Sequence, residues 1–350
     1  MAAKFQNQFL RLCLYLVFAV AITACSVKTE QANISQVGNI SHKKIAEASG
    51  LAYSNIHHDV LWLHNDGGDS AAVYAINLSG DVLATVNIEG VKNIDWEDMS
   101  SFIIDGKAYL LIADVGDNRA NRSQYFIHII AEPDVSKLAL AASIKLTPLV
   151  SLAFNYPDGP KDCESVAVDV VNQQIVLLSK RHTPQTLYQL PLPLQLAQSP
   201  ALLPSEFPSQ LPMPLPMPLP KQERDTLVAT PLGAPPALPE SFSDYFGSIR
   251  LALFAGNSTA MSFSKDGLSA VVLTYGHAYY FQQQQPTGAL TLLSTTPKII
   301  DFPTLFQAEA VSFNHDASRF YITSEGSPAP IYEVNIAALL ANSDYSLLKY

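Results

Sequence analysis

The chain has 350 residues, with 31 Asp and Glu against 21 Lys and Arg and a formal charge of −10. It carries no basic run, which excludes nucleic acid as a partner and a polybasic grip on anionic lipid. Of its three cysteines only Cys163 lies beyond the first 25 residues, so the body of the chain forms no internal disulfide and depends on a large apolar core.

Residues 1–24 read as an export signal. Lys4 and Arg11 make a basic start, residues 12–23 are apolar but too short to span a bilayer, and Ile22-Thr23-Ala24-Cys25 is a lipoprotein cleavage motif. Cys25 is the expected lipidation site and membrane attachment. Ser26, where an Asp would favour retention at the inner membrane, points to the outer membrane of a Gram-negative cell envelope. Residues 25–34 form a lipidated tether, and 35–350 form one domain expected to be monomeric.

That domain has the alternating apolar pattern of an all-β protein, with a helix expected only at Ile336–Ala341. One pattern recurs five times: a polar residue leads an alternating strand, then come a turn, a second apolar strand and a polar cluster. The copies begin at Glu47, Glu97, Glu164, Thr259 and Glu309 and end at His64-Asn65-Asp66, Asp114–Asn118, Lys180-Arg181-His182, Thr274-Tyr275 and Thr323–Glu325. Further strands follow in each copy, as at Tyr125–Ala131 and Leu187–Leu190. Four-stranded antiparallel repeats of this length are β-propeller blades. Five blades are expected, with the strand at 35–41 closing the ring. The alternative is six, with a degenerate blade near 226–253. Residues 191–239, proline-rich at 211–220, read as an insertion that does not pair in a sheet.

In a propeller the first strand lines the channel and the second returns beside it, so both ends of the pattern meet at one mouth. The expected metal-ligand ring is Glu47, Glu97, Glu164, Thr259 and Glu309. Around it stand His64, Asn65, Asp66, Asp69, Asp114, Asp117, Asn118, Lys180, Arg181, His182, Tyr275 and Glu325. Carboxylates crowded into such a ring take up protons or bind a cation, and an irregular set of oxygen ligands suits Ca²⁺. The competing reading is structural: the glutamates cap channel amides or pair with Lys180, Arg181 and Arg119. The Gly-interrupted runs Asn65–Asp69 and Asp114–Asn118 fit cation loops and tight turns equally well. Among acid–base candidates, His64, His182 and Asp66 fall at the mouth, whereas His57-His58 sits in a turn. Trp62, Trp96 and Cys163 read as core. No nucleophile elbow, phosphate loop or dinucleotide fingerprint is present.

The series Glu-Ala-Ser-Gly-Leu-Ala, Trp-Leu-His-Asn-Asp, Asp-Trp-Glu-Asp, Ala-Asp-Val-Gly-Asp-Asn and Ala-Glu-Ala-Val-Ser-Phe resembles a group of exported bacterial β-propeller lipoproteins with no assigned activity. In architecture the glutamate ring also resembles the calcium-activated apyrases and the propeller phytases and lactonases, which hold Ca²⁺ at this mouth. Thr259 departs from the Glu pattern of the repeat. The leading expectation is a lipid-anchored propeller that binds a small ligand or an envelope protein at an acidic mouth, with Ca²⁺. A calcium-dependent hydrolase of a phosphoester or lactone is the first alternative. There Lys180 and Arg181 would hold the anionic group. An envelope interaction scaffold is the second.

Overall fold

The computed structural model describes residues 34–181, 184–194, 226–239, 256–303 and 305–341. The export signal, Cys25, His182 and the proline-rich run at 211–220 lie outside them.

Five small sheets, mainly antiparallel, form a five-bladed β-propeller. Blade 1 is built from Ala48–Tyr53, Val60–Asn65, Ala72–Asn77 and Val82–Ile88. Blade 2 comprises Trp96–Ile104, Lys107–Asp114, Tyr125–Ala131 and Val150–Asn155. Blade 3 has Cys163–Asp169, Gln174–Ser179, Leu187–Pro191 and Thr230–Gly233. Blade 4 has Ser258–Phe263, Ser269–Thr274, His277–Gln282 and Lys298–Asp301. Blade 5 joins Ala308–Phe313, Arg319–Ser324 and Ala329–Asn335 to the N-terminal strand Ile34–Ile40, which pairs antiparallel with Ala329–Asn335 and closes the ring as expected. First strands of neighbouring blades touch in cyclic order, including the last against the first.

The two-residue period of the strands explains the packing. In blade 1, Leu61 and Leu63 pack toward blade 5, while Val60 and Trp62 on the opposite face pack toward Leu110 and Ile112 of blade 2. Blades 2 and 3, 3 and 4, and 4 and 5 share cores of the same kind. Inner strands such as Val60–Asn65 and Ser269–Thr274 are therefore buried on both faces, while outer strands such as Val82–Ile88 keep one partly exposed face. Trp62, Trp96 and Cys163 are buried, and Ile336–Ala341 is helical. Among the described residues no helix is long and apolar enough to cross a membrane.

The six-blade alternative is overturned in the segment where it was placed. Leu227–Val228 adds a parallel fifth strand to blade 2, and Thr230–Gly233 is the fourth strand of blade 3. The insertion is thus narrower than 191–239. Pro231 is tolerated because it lies on an edge strand, where a missing N–H costs no ladder bond. Blade 1 also gains a parallel outer strand, Ala142–Leu146, contributed by the connection between the third and fourth strands of blade 2.

Candidate cation-binding mouth

All five first strands carry the same irregularity. Pairing with the second strand slips by one residue, at Ser49, Glu97, Glu164, Thr259 and Glu309. A bulge leaves its extra residue unpaired and re-aims the side chain. Repeated around the ring, it sets five side chains at one mouth. Two residues earlier in each blade stand Glu47, Asp95, Asp162, Asn257 and Gln307. In four blades their carbonyls accept a bond from the chain just beyond the second strand: Asp66 N to Glu47 O at 2.7 Å, Gly116 N to Asp95 O at 3.1 Å, Lys180 N to Asp162 O at 2.9 Å and Glu325 N to Gln307 O at 3.1 Å. Those bonds bring Asp66, Lys180 and Glu325 to the same mouth.

One member of the expected ring is displaced. Ser49, not Glu47, holds the bulge position in blade 1, and Glu47 is an exposed rim residue. Its glutamate sits two residues before the bulge, where blades 2 and 3 have Asp95 and Asp162. Ser49 Oγ donates to the Glu97 carbonyl at 2.8 Å, and Thr259 Oγ1 donates to the Ala308 carbonyl at 2.7 Å. Both hydroxyls tie one blade to the next.

The remaining ring divides into two halves of different chemistry. Toward blades 3 to 5 the acids have partners. Lys180 Nζ binds Glu164 Oε2 and donates to Tyr275 Oη at 2.9 Å, and Tyr275 Oη donates to Glu309 Oε1 at 3.1 Å. Arg181 pairs with Asp162 and donates to Asn118 Oδ1. Burial works against the Lys180 ammonium, but Glu164, Tyr275 and Glu309 outweigh it and hold its pKa above the usual lysine value. One ammonium cannot neutralise every acid around it. Burial pushes Glu164 up to about 8 despite Lys180. Burial and then Glu325 push Glu309 up to about 8 as well.

Toward blades 1 and 2 the acids have no such partner. Oxygens of Asp66, Asp95 and Glu97 lie within 4.8 Å of one another, as do those of Glu97, Asp162 and Glu164. Among the described residues no base stands within ion-pair distance of Asp66, Asp95 or Glu97. Burial, followed by repulsion from Glu164, Asp66 and Asp95, raises Glu97 well above the usual glutamate range. Burial and then Asp66 push Asp95 up to about 6. Burial also raises Asp66.

Two glycines make room for this group. A Cβ at position 67 would strike Asp95 Oδ1. One at position 116 would strike Glu97 Oε1 and stand 2.6 Å from Asp95 Cγ. The two Gly-interrupted runs therefore do more than turn the chain, because each keeps clear the space that the Asp95 and Glu97 carboxylates occupy.

Several other expected residues brace the mouth. Asp114 is buried, pairs with Arg122 at 2.8 Å and accepts from the Asp95 N–H at 3.1 Å. Asp117 accepts from the amides of Asn121 and Arg122 and from Tyr125 Oη. Asn65 Nδ2 donates to the Lys44 carbonyl at 2.6 Å and to Asp69. His64 is fully buried, its Nδ1 3.0 Å from the Asn65 carbonyl and its ring edge-on to Trp96 at 5.4 Å. Burial pulls its pKa down to about 4, so the ring is neutral at pH 7.

Sequence reasoning passed over Asp95 and Asp162, although each stands two residues before a leading glutamate. It also passed over Asp98, whose Oδ2 crosses the centre of the ring to accept from Val166 N at 2.8 Å and Met261 N at 3.1 Å. No protein-family model matches this chain, and no curated protein matches it at significant similarity.

Proposed function

We propose that this propeller is a binding protein of the cell envelope, held by a lipid on Cys25, that captures its ligand at the acidic mouth through a divalent cation. The observation that carries this reading is the group Asp66, Asp95 and Glu97: three carboxylates with oxygens within 4.8 Å of one another, and no base at ion-pair distance among the described residues. Water alone is a poor remedy for like charges held partly out of solvent. A cation is an effective one, and it requires only the oxygen ligands already gathered there. Ca²⁺ accepts such an irregular set and keeps open positions for water or for a ligand oxygen.

The test is calorimetric titration of the purified full chain with Ca²⁺ after chelation, beside Asp95→Asn and Glu97→Gln. Saturable binding by the parent chain, weakened at least about tenfold in both variants, supports the reading, since each removes a charged ligand. Absence of binding, together with a melting temperature indifferent to chelator and to Ca²⁺, overturns it. A panel of phosphoesters and lactones run alongside separates binding from hydrolysis, because hydrolysis predicts turnover that Glu97→Gln abolishes.

A further inference from the structure

The other end of the channel carries a different chemistry. A narrow cavity there is lined by the tips of first strands and the turns that follow them, among them Asn55 of blade 1, Ser262 and Lys265 of blade 4, and His315 of blade 5. It lies at the opposite end of the first strands from Glu97 and Glu164 and shares no residue with the acidic mouth.

Two hydrogen-bond donors in this cavity are buried and unsatisfied. Lys265 Nζ and Asn55 Nδ2 are withdrawn from solvent, and neither has a hydrogen-bond partner among the described residues. They come from different blades yet line the same space. A buried ammonium without an acceptor is costly, and native proteins keep few of them. Ser262 Oγ accepts from Phe313 N at 3.3 Å, which leaves its own hydrogen available to a third acceptor. Burial disfavours protonation of His315, and Lys265 and His58 act in the same sense against Asp316. The neighbouring acid Glu132 is engaged by Ser54 Oγ, the backbone N–H of Asn55 and Trp62 Nε1 and makes no ion pair with Lys265. Burial lowers the Lys265 amine to about 8, with Glu132 and Asp316 opposing from a distance.

We infer that this second mouth is an oxyanion site, in which a carboxylate or phosphate group accepts hydrogen bonds from Lys265, Asn55 and Ser262. The cavity is narrow, so it admits the charged end of a ligand rather than a whole substrate. A propeller with a cation site at one mouth and an anion site at the other has two binding ends, and the second stands independently of the first.

The test uses the full chain with chelator present, so that no cation bound at the acidic mouth recruits the anion. Sodium acetate and sodium phosphate are titrated against sodium chloride at matched ionic strength, and melting temperature and calorimetric heat are followed. One oxyanion should stabilise the parent chain saturably beyond chloride. Lys265→Met should weaken that response about tenfold or more, the scale of a charge-assisted hydrogen bond. Acetate and phosphate separate a carboxylate from a phosphate preference. Asn55→Ala is the second variant and keeps the test decisive should Lys265→Met fail to fold. If neither oxyanion is distinguishable from chloride, or if the folded variants respond as the parent does, the inference is wrong.

Discussion

Glu97 lies over the α-carbon of Gly116, so close that a methyl group at 116 would collide with Glu97 Oε1. The glycine belongs to the second strand's exit and the glutamate to the first strand's bulge, and both are needed to place one carboxylate beside Asp95. Gly116→Ala should therefore displace Glu97 and Asp95 while leaving the blade paired. Its backbone is not in the left-handed region, so the effect is one of space rather than strain. Cation affinity should fall about tenfold or more, as expected when ligands leave their geometry. Calorimetric titration measures the loss, and circular dichroism checks that the sheets persist. An unchanged affinity would show that the site does not depend on Glu97.

Stability should depend on pH in a defined window. Glu164 and Glu309 hold protons in the folded chain up to about 8, whereas an ordinary glutamate releases them near 4.5. Between those values the folded state binds more protons than the unfolded state, so stability falls as pH rises. His64 and His128, pulled down by burial to about 4, act in the opposite sense. Their contribution is complete above 6.5 and is lost only as pH drops toward 4. The interval from pH 6.5 to 8 thus belongs to the acids. In chelator, the melting temperature should decline across it, Glu164→Gln or Glu309→Gln should flatten the decline, and Ca²⁺ should offset it by replacing the protons. A melting temperature that rises across this interval in chelator would contradict the assignment.

Most of the architecture was legible because the repeat is written twice, in the alternation of the strands and in the polar residues that end them. The closing strand and the shared mouth followed from that repeat. Two features were hidden. Thr230–Gly233 contains a proline and a glycine and reads as a turn, and only its position at a sheet edge makes it a strand. Glu47 was drawn into the inner ring because a glutamate two residues from the true position is indistinguishable from one on it until the bulge is seen. The site itself was half legible. Glu97, Glu164 and Glu309 lead their strands. Asp95 and Asp162 enter only when the chain just before each bulge folds onto the same mouth. Which acids have a base beside them is a matter of three dimensions, since Lys180 reaches Glu164 and Tyr275 from strands that are separated in sequence.

Lys180 should be the most costly single residue to remove from the mouth. Its side chain is buried and bonded to Glu164 and Tyr275, with Glu309 one hydroxyl further on. Lys180→Met leaves these carboxylates buried without their ammonium, and breaking a buried pair on one side costs about 3–5 kcal/mol. Lys180→Met with Glu164→Gln removes both partners and should recover part of that loss. Urea denaturation of the parent, single and double variants at pH 8 measures the coupling. A double variant no more stable than Lys180→Met would mean that the pair contributes nothing beyond its packing.

Adjacent residues on one strand should give opposite results. Glu97 is the unpaired bulge residue, crowded by other acids, and its replacement by glutamine removes repulsion. Stability in chelator should hold or rise while cation binding is lost. Asp98, the next residue, is fully buried and accepts three backbone amides: Met99 at 2.8 Å, Val166 at 2.8 Å and Met261 at 3.1 Å. Those amides belong to blades 2, 3 and 4, so one carboxylate joins three blades at the axis. Burial raises its pKa well above the usual aspartate value, although the three N–H groups oppose the shift. Asp98→Ala leaves three buried donors unpaired, each worth about 1–3 kcal/mol, so a loss of roughly 3 kcal/mol or more is expected. Asp98→Asn should be little better, because its amide nitrogen would meet one or more of the same N–H groups. Urea denaturation in chelator separates the two neighbours. If Asp98→Ala melted like the parent and lost only cation binding, Asp98 would belong to the site rather than to the axis of the fold.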